Sequence, residues 1–421
     1  MASVASAIKK KLVIGKQSAK GTIADAGLAT AQYLRRVSST LDVKKETYQS
    51  NEKNANRQIM DFRHGVKSVD GSISGELSPG TYKLFMASVL RKDFVTGISM
   101  NVAAANNVAA ASTTGAAGTF TRDDVGGSFI TDGFKVGDVV RWTGWDSPAT
   151  ANNDHNMLIT ALTATVMTVV TLDGVAVATK AKGDNVACSV VGMKSWVPAT
   201  AHTEDWYTIE HYFSDLDISE VFYDCKVGGM SIKLPATGMA TIDFNIMGLN
   251  YNHLDAGTSP YFTAVVAEGT KGVLAAVNGA IYVNGSAVAL ITGMDINIAG
   301  NLSSNPVIGS NTKPDIFDGK IVVTGNMTVY FSDATMRDYF INETEVAVNA
   351  VFTTGNASNA DFIAISMPRC KVGGASKDDG DSGIVMTMPF QALYDTAGDD
   401  GVTLTQDTLA TTISIQDSSL S

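Results

Sequence analysis

The chain has 421 residues and a formal net charge of -11, with 45% apolar and 17% charged residues. That is enough hydrophobic side chain for more than one core, and too little charge for a disordered chain. Three dispersed cysteines, Cys188, Cys225 and Cys370, cannot make a disulfide framework or a four-thiolate zinc site, and an acidic chain lacks the clustered Lys and Arg that hold polyphosphate.

Residues 1–48 carry Lys9, Lys10 and Lys11 and then only Leu12, Val13 and Ile14 as an apolar run, too short for a secretory core. Their mixed polarity predicts an extended arm. Val69, Gly71, Ile73, Gly75 and Leu77 then alternate with Ser68, Asp70, Ser72, Ser74 and Glu76, the period of a half-buried strand. Ser78-Pro79 predicts a helix start capped by Ser78, with Tyr82, Phe85, Met86, Val89 and Leu90 at helical spacing. Asn101 to Gly118, rich in Ala, Asn, Thr and Gly, reads as a linker. The apolar residues from Phe129 to Leu172, with turn signals such as Asp173-Gly174, predict a small barrel of five or six short strands ending near Val197-Pro198. Trp142, Trp145, Trp196 and Trp206 suit either a core or a sugar-binding platform.

Strand alternation returns at Ile242, Phe244 and Ile246 and at Met294, Ile296 and Ile298. Val273 to Met294, broken by Asn278, Asn284 and several Gly, reads as two strands and cannot span a bilayer. Val323, Gly325, Met327 and Val329 give another strand, followed by Ser332 as a second cap with Met336, Tyr339 and Phe340 behind it, and Ile413 and Ile415 close the chain. The fold class is all-β dominated, a sandwich or barrel with one short flanking helix per repeat.

A repeat is written in the sequence. Asp61, Gly65, Val69, Gly71 and Ser78 match Asp315, Gly319, Val323, Gly325 and Ser332 at one constant spacing. Cys225-Lys226-Val227-Gly228-Gly229 matches Cys370-Lys371-Val372-Gly373-Gly374 at another. Both blocks occur in the same order, but the interval between them is much longer in the first copy, which must hold an insertion. The predicted layout is an arm at 1–48, copy one at 49–97 and 199–252, a linker and inserted barrel at 98–198, and copy two at 253–421.

Catalytic, cofactor and metal sites are not predicted. His64, His155, His202, His211 and His253 are dispersed, and no phosphate-binding glycine motif is present. Asp378, Asp379, Gly380 and Asp381 begin like a calcium loop but have Pro389 where the bidentate Glu belongs, so an acidic turn is expected there, and Asp399-Asp400-Gly401 is a weaker match still. Cys225 and Cys370 are expected to be paired core positions.

Glu46-Thr47-Tyr48-Gln49-Ser50-Asn51-Glu52, Arg57-Gln58-Ile59, Arg63-His64-Gly65 and Gly71-Ser72-Ile73-Ser74-Gly75-Glu76-Leu77-Ser78-Pro79-Gly80 resemble the tail tube protein of long, non-contractile-tailed bacteriophages. Gly133-Phe134-Lys135-Val136-Gly137-Asp138-Val139-Val140 is similar to the accessory domain found inside such proteins. The resemblance implies a structural virion protein whose rings of six tube domains stack into a hollow conduit for DNA ejection, made in the host cytoplasm. Implied partners are further copies of itself, a tape-measure protein, a tail terminator and distal tail or baseplate proteins, with DNA passing through unbound and no membrane involved. Two domains per chain imply a homotrimeric ring, with a homohexamer as the alternative. Asp70 and Glu76 are the candidate carboxylates of a repulsive lumen. A tandem-domain adhesin or, more remotely, a carbohydrate-acting β enzyme with paired carboxylates would share this composition.

Overall fold

A computed structural model describes residues 4–100, 107–288, 290–332, 334–378, 383–396 and 409–420. Strands dominate, and the α-helices among the described residues are Lys83–Leu90, Phe129–Asp132 and Thr335–Ile341. None of these is long and apolar enough to cross a membrane.

The first half lays its strands side by side, all antiparallel, in the order Lys10–Lys16, Tyr207–Phe213, Ile218–Pro235, Thr241–Leu254, Phe62–Glu76 and Asp42–Gln49. Ser38–Ser39 extends the last of these lanes. The second half uses the same path with Gly279–Val283, Val346–Thr353, Phe362–Val372, Val385–Ala392, Val322–Tyr330 and Ile291–Ala299. Register agrees as well as order. Val69 faces Gly248 and Gly71 faces Ile246, while Val323 faces Ala392 and Gly325 faces Phe390. Cys225 lies opposite Tyr207 and Gly248, and Cys370 opposite Val346 and Ala392. A β-bulge interrupts the pairing after Tyr207 and again after Val346.

Gly71 and Gly325 share a cause. A Cβ on Gly71 would lie 2.4 Å from the Leu41 Cα and 2.6 Å from the Thr40 carbonyl oxygen; one on Gly325 would lie 2.3 Å from the Asp295 carbonyl oxygen. In both places only glycine lets the neighbouring strand cross this closely. Other matched positions do not coincide. Gly65 lies within the long Phe62–Glu76 strand, whereas Gly319 falls in the loop before Val322, as does Asp315.

The halves join where Gly229–Pro235 pairs with Gly293–Ala299, giving one row of eight strands from Asp42–Gln49 to Val385–Ala392 and the Phe362–Val372 lane beyond it. Alternation puts Ile73, Ile232, Ile242, Phe244, Ile296 and Met327 on the buried face, where they form one core spanning both halves.

Several expectations are corrected. Residues 10–49 are not an arm: Lys10–Lys16 is a strand with Leu12, Val13 and Ile14 all buried, and Asp42–Gln49 pairs along Phe62–Glu76. The first helix begins at Lys83, not at Ser78, whose hydroxyl instead bonds the Thr81 hydroxyl at 2.6 Å inside a buried turn. Ala334 rather than Ser332 holds the cap position of Thr335–Ile341. Phe340, which aligns with Met86 and is expected against the sheet, is 40% exposed, whereas Met86 is buried. The first helix is covered on its outer side, where Lys83 reaches Met193 and Leu420 joins the same core. The second packs Met336 and Tyr339 against a cluster that includes Val329, Val372 and Met386.

The insertion has its own sheet and core, and also packs Val139 and Leu158 against Tyr282, Val351 and Phe362 of the second half. Ala187–Val190, Val139–Thr143, Met157–Leu162, Val166–Thr171, Ala117–Arg122 and Val108–Ser112 form a six-stranded antiparallel half-barrel whose two edge strands do not pair. Residues 108–118, expected as linker, therefore belong to it, and 101–106 lie outside the described residues. Its core stacks Phe120 on Trp142 with ring centres 4.4 Å apart. Arg122, 1% exposed, is held by Asp124 and Asp132, each at 2.6 Å. The chain leaves the host sheet at Val95–Thr96 and returns beside it at Met193–Trp196, which also pairs with the C-terminal strand Ser414–Asp417.

Candidate functional surface

The buried face of the eight-strand row fixes the opposite face as polar, because successive side chains alternate. That face carries the carboxylates Asp42, Asp70, Glu76, Asp243 and Asp295 against the lysines Lys44, Lys233 and Lys371. Asp70 is half-buried, accepts a hydrogen bond from Ser68 Oγ at 2.6 Å and lies directly across from Asp42. Two like charges in facing positions destabilise a sheet locally, and Lys44, two residues on from Asp42 on the same face, offsets part of that repulsion. Asp243 lies between Ser74 and Ser231, with no cation opposite, whereas Asp295 faces Lys233. Glu76 is exposed at the end of its strand, in a groove it shares with Lys10, Lys11, Arg35 and Arg36. The two predicted carboxylates thus share a face, but Glu76 stands among cations whereas Asp70 faces Asp42. Asp42 and Asp243 were missed, although the alternation of Thr241, Asp243 and Asn245 with Ile242, Phe244 and Ile246 already assigned Asp243 to the polar side.

Other charged groups are structural. Asp224 is buried and accepts from Gly21 N–H at 2.7 Å, Asn250 Nδ2 at 2.7 Å and Gln17 Nε2 at 3.0 Å. Buried Glu210 takes the Tyr261 and Phe262 amides. His211 is buried beside Ser39 and Glu220, and burial holds its imidazole below the ordinary value. His155 bonds Asp173 at 2.5 Å, and no group of three His, Cys, Asp or Glu converges among the described residues. Burial pushes the thiols of Cys188, Cys225 and Cys370 up, which keeps them protonated. Trp142 and Trp145 are interior, so neither offers a sugar platform. Asp379, Gly380, Asp381 and Asp399-Asp400-Gly401 lie outside the described residues.

No curated protein matches this sequence. One family does, described as phage tail tube protein, and its model matches residues 8–392, across both halves and the insertion alike. Nearly the whole chain being covered, it belongs to the phage tail tube protein family and is a structural component of the virion tail.

Proposed function

We propose that the chain assembles into closed rings that stack into the hollow tail tube through which DNA is ejected, and that it carries two tube domains. The shared strand order and register of the two halves support this reading more than any other observation. Copy one then starts near residue 10 rather than 49, because Lys10–Lys16 corresponds to Gly279–Val283 along Tyr207–Phe213 and Val346–Thr353. The inserted domain then runs from about 98 to 192, short of the expected 198, because Met193–Trp196 pairs with Val95–Thr96 and Ser414–Asp417.

Three chains, each bringing eight strands, make a head-to-tail ring of pseudo-sixfold symmetry. At about 4.8 Å between strands, roughly 24 strands close a bore about 37 Å across, wider if they tilt. The polar face looks inward. Its carboxylates repel phosphate over the Debye length, about 8 to 10 Å at physiological salt, so duplex DNA slides without adhering. Tape-measure, terminator and distal tail or baseplate proteins bind the column's interior and ends, and the chain is made in the host cytoplasm before joining the virion.

Electron microscopy of purified protein tests this. Hollow filaments with three inserted domains per ring are expected; six inserted domains per ring would replace the trimer with a hexamer, and isolated particles would remove the tube. Tubes carrying Asp70→Lys and Asp243→Lys should retain duplex DNA in a salt-dependent way, and equal passage through both tubes would refute the electrostatic lining.

A further inference from the structure

The contact between the two halves consists of two strips. Gly229–Pro235 pairs with Gly293–Ala299, Met230 opposite Ile298 and Ser231 opposite Asn297. Residues 269–276 also run back over the first half, where Arg35 holds the Lys271 carbonyl at 2.8 Å. Leu274, fully buried, donates to the Leu77 carbonyl and accepts from Ala240 N–H, both at 2.9 Å. A short 3-10 turn, Ala276–Asn278, then leads into Gly279–Val283.

Each part of this junction has an open counterpart. The strand Lys10–Lys16 is likewise preceded by a 3-10 turn, Ala7–Lys9, so residues 4–6 correspond to 273–275. Val4 and Ile8 are 86% and 92% exposed. In the second half Phe331 N–H donates to the Ile384 carbonyl at 2.9 Å, as Leu77 N–H does to Ala240 at 2.8 Å. There the Phe331 carbonyl and the Ile384 amide have no partner among the described residues. A groove of about 430 Å³ lined by Phe331, Thr335, Met336 and Tyr339 lies beside them. Two sheet edges are open as well. Ser38–Ser39 and Asp42–Gln49 pair only with Phe62–Glu76. Among the described residues Ser376–Lys377 pairs only with Val385–Ala392, in the register that Ser231 and Ile232 use toward Asp243 and Ile242.

We propose that a second copy of this chain docks through a repeat of the internal junction. Residues 4–6 of the incoming chain enter between Phe331 and Ile384, and its 38–44 edge pairs antiparallel with 374–378, Asp42 opposite Ser376 and Val43 opposite Ala375. This rests on the ring reading and names its interface. The docked edge leaves no open strand in the ring, which removes the aggregation hazard of two exposed edges.

The full-length Asp42→Cys/Ser376→Cys protein tests the register, since Cys188, Cys225 and Cys370 are buried and cannot compete. Facing antiparallel positions have the Cα spacing a disulfide needs. Oxidised tubes should run as covalently linked chains on denaturing gels, and Lys44→Cys/Ser376→Cys, two residues out of register, should link several-fold less. Ala5→Asp puts a charge where Leu274 lies in the internal junction and should weaken assembly about tenfold or more, leaving the monomer folded because Ala5 is exposed there. Tubes that form without the in-register link, or that link equally in both registers, overturn this interface and leave the tube standing. Normal assembly of Ala5→Asp overturns the slot. Chains giving neither tubes nor links overturn interface and ring together.

Discussion

Replacing Gly71 or Gly325 by alanine perturbs equivalent positions with unequal surroundings. The added carbon would lie 2.4 Å from the Leu41 Cα in one case and 2.3 Å from the Asp295 carbonyl oxygen in the other, against about 3.5 to 4.0 Å for comfortable carbon contacts. Backbone must therefore move by roughly 1 Å, since no side-chain rotation relieves either contact. In the isolated chain, the Ser38–Lys44 edge next to Gly71 can shift outward, because nothing pairs with its far side. The Ile291–Ala299 strand next to Gly325 cannot, being bonded to Ile218–Pro235 on its other side. Overpacking costs about 1 to 3 kcal/mol, so Gly71→Ala should fall near the lower figure and Gly325→Ala at or above the upper one. Gly355→Ala, with nothing within 4 Å of the added carbon, serves as the control. Urea unfolding of unassembled protein, followed by circular dichroism, measures all three. The reasoning is refuted if Gly71→Ala costs as much as Gly325→Ala, or if both match the control.

Phe85→Ala should cost about 3 to 5 kcal/mol, while Phe340→Ala, at an exposed position, should stay within about 0.5 kcal/mol; similar losses for both would contradict the difference in helix coverage. Asp417 is buried, and its carboxyl is pushed up to about 6 by burial, against 3.8 in the unfolded chain. Folding then favours its protonated form: the charge carries no cost below pH 3.8 and its full cost above pH 6. The stability difference between Asp417→Asn and the natural protein should move by about 2 kcal/mol in favour of the variant from pH 4 to pH 7, and a flat difference would count against the buried charge. Arg122→Ala strands Asp124 and Asp132 and should destabilise the inserted domain by about 3 to 5 kcal/mol, read from tryptophan emission; an unchanged midpoint would refute it.

The strands that were legible in the sequence are those buried on one face only. Ile242, Phe244 and Ile246, or Met294, Ile296 and Ile298, announce themselves by alternation, and their partners follow from the repeat. Lys10–Lys16 was hidden for the opposite reason: Leu12, Val13 and Ile14 are buried on both faces, so the run has no period and its flanking lysines resemble a tail. Asp42–Gln49 is almost wholly exposed and carries no apolar pattern either. Ser78-Pro79 reads as a helix cap, yet its hydroxyl satisfies Thr81 and delays the helix to Lys83. Phe340 aligns with Met86, but a match in sequence does not reveal what stands on the far side of a helix. Of the polar surface, Asp70 and Glu76 could be assigned by parity; the cations beside Glu76 come from segments distant in the chain and become visible only in the folded protein.

Because Val95–Thr96 and Met193–Lys194 are neighbours, the host sheet experiences everything between them as an elongated hairpin, and its own pairing is indifferent to what the hairpin contains. The junction is thus a graft point for a foreign domain with closely spaced ends, provided that the graft also covers the apolar residues Tyr282, Val351 and Phe362 against which the insertion packs. Contacts with the second half limit the exchange: Val139 and Leu158 pack with Tyr282, Val351 and Phe362. Asn156 N–H donates to the Ser358 carbonyl at 2.8 Å, Asn156 Nδ2 to the Ala360 carbonyl at 2.8 Å and Arg141 to the Asn359 carbonyl at 3.0 Å, and Gln416 adds a further tie. Gln416 accepts from Val139 N–H at 2.9 Å and donates to the carbonyls of Val139 and Val191, each at 2.8 Å, so a graft that removes Val139 strands a buried amide at about 1 to 3 kcal/mol unless residue 416 is changed with it.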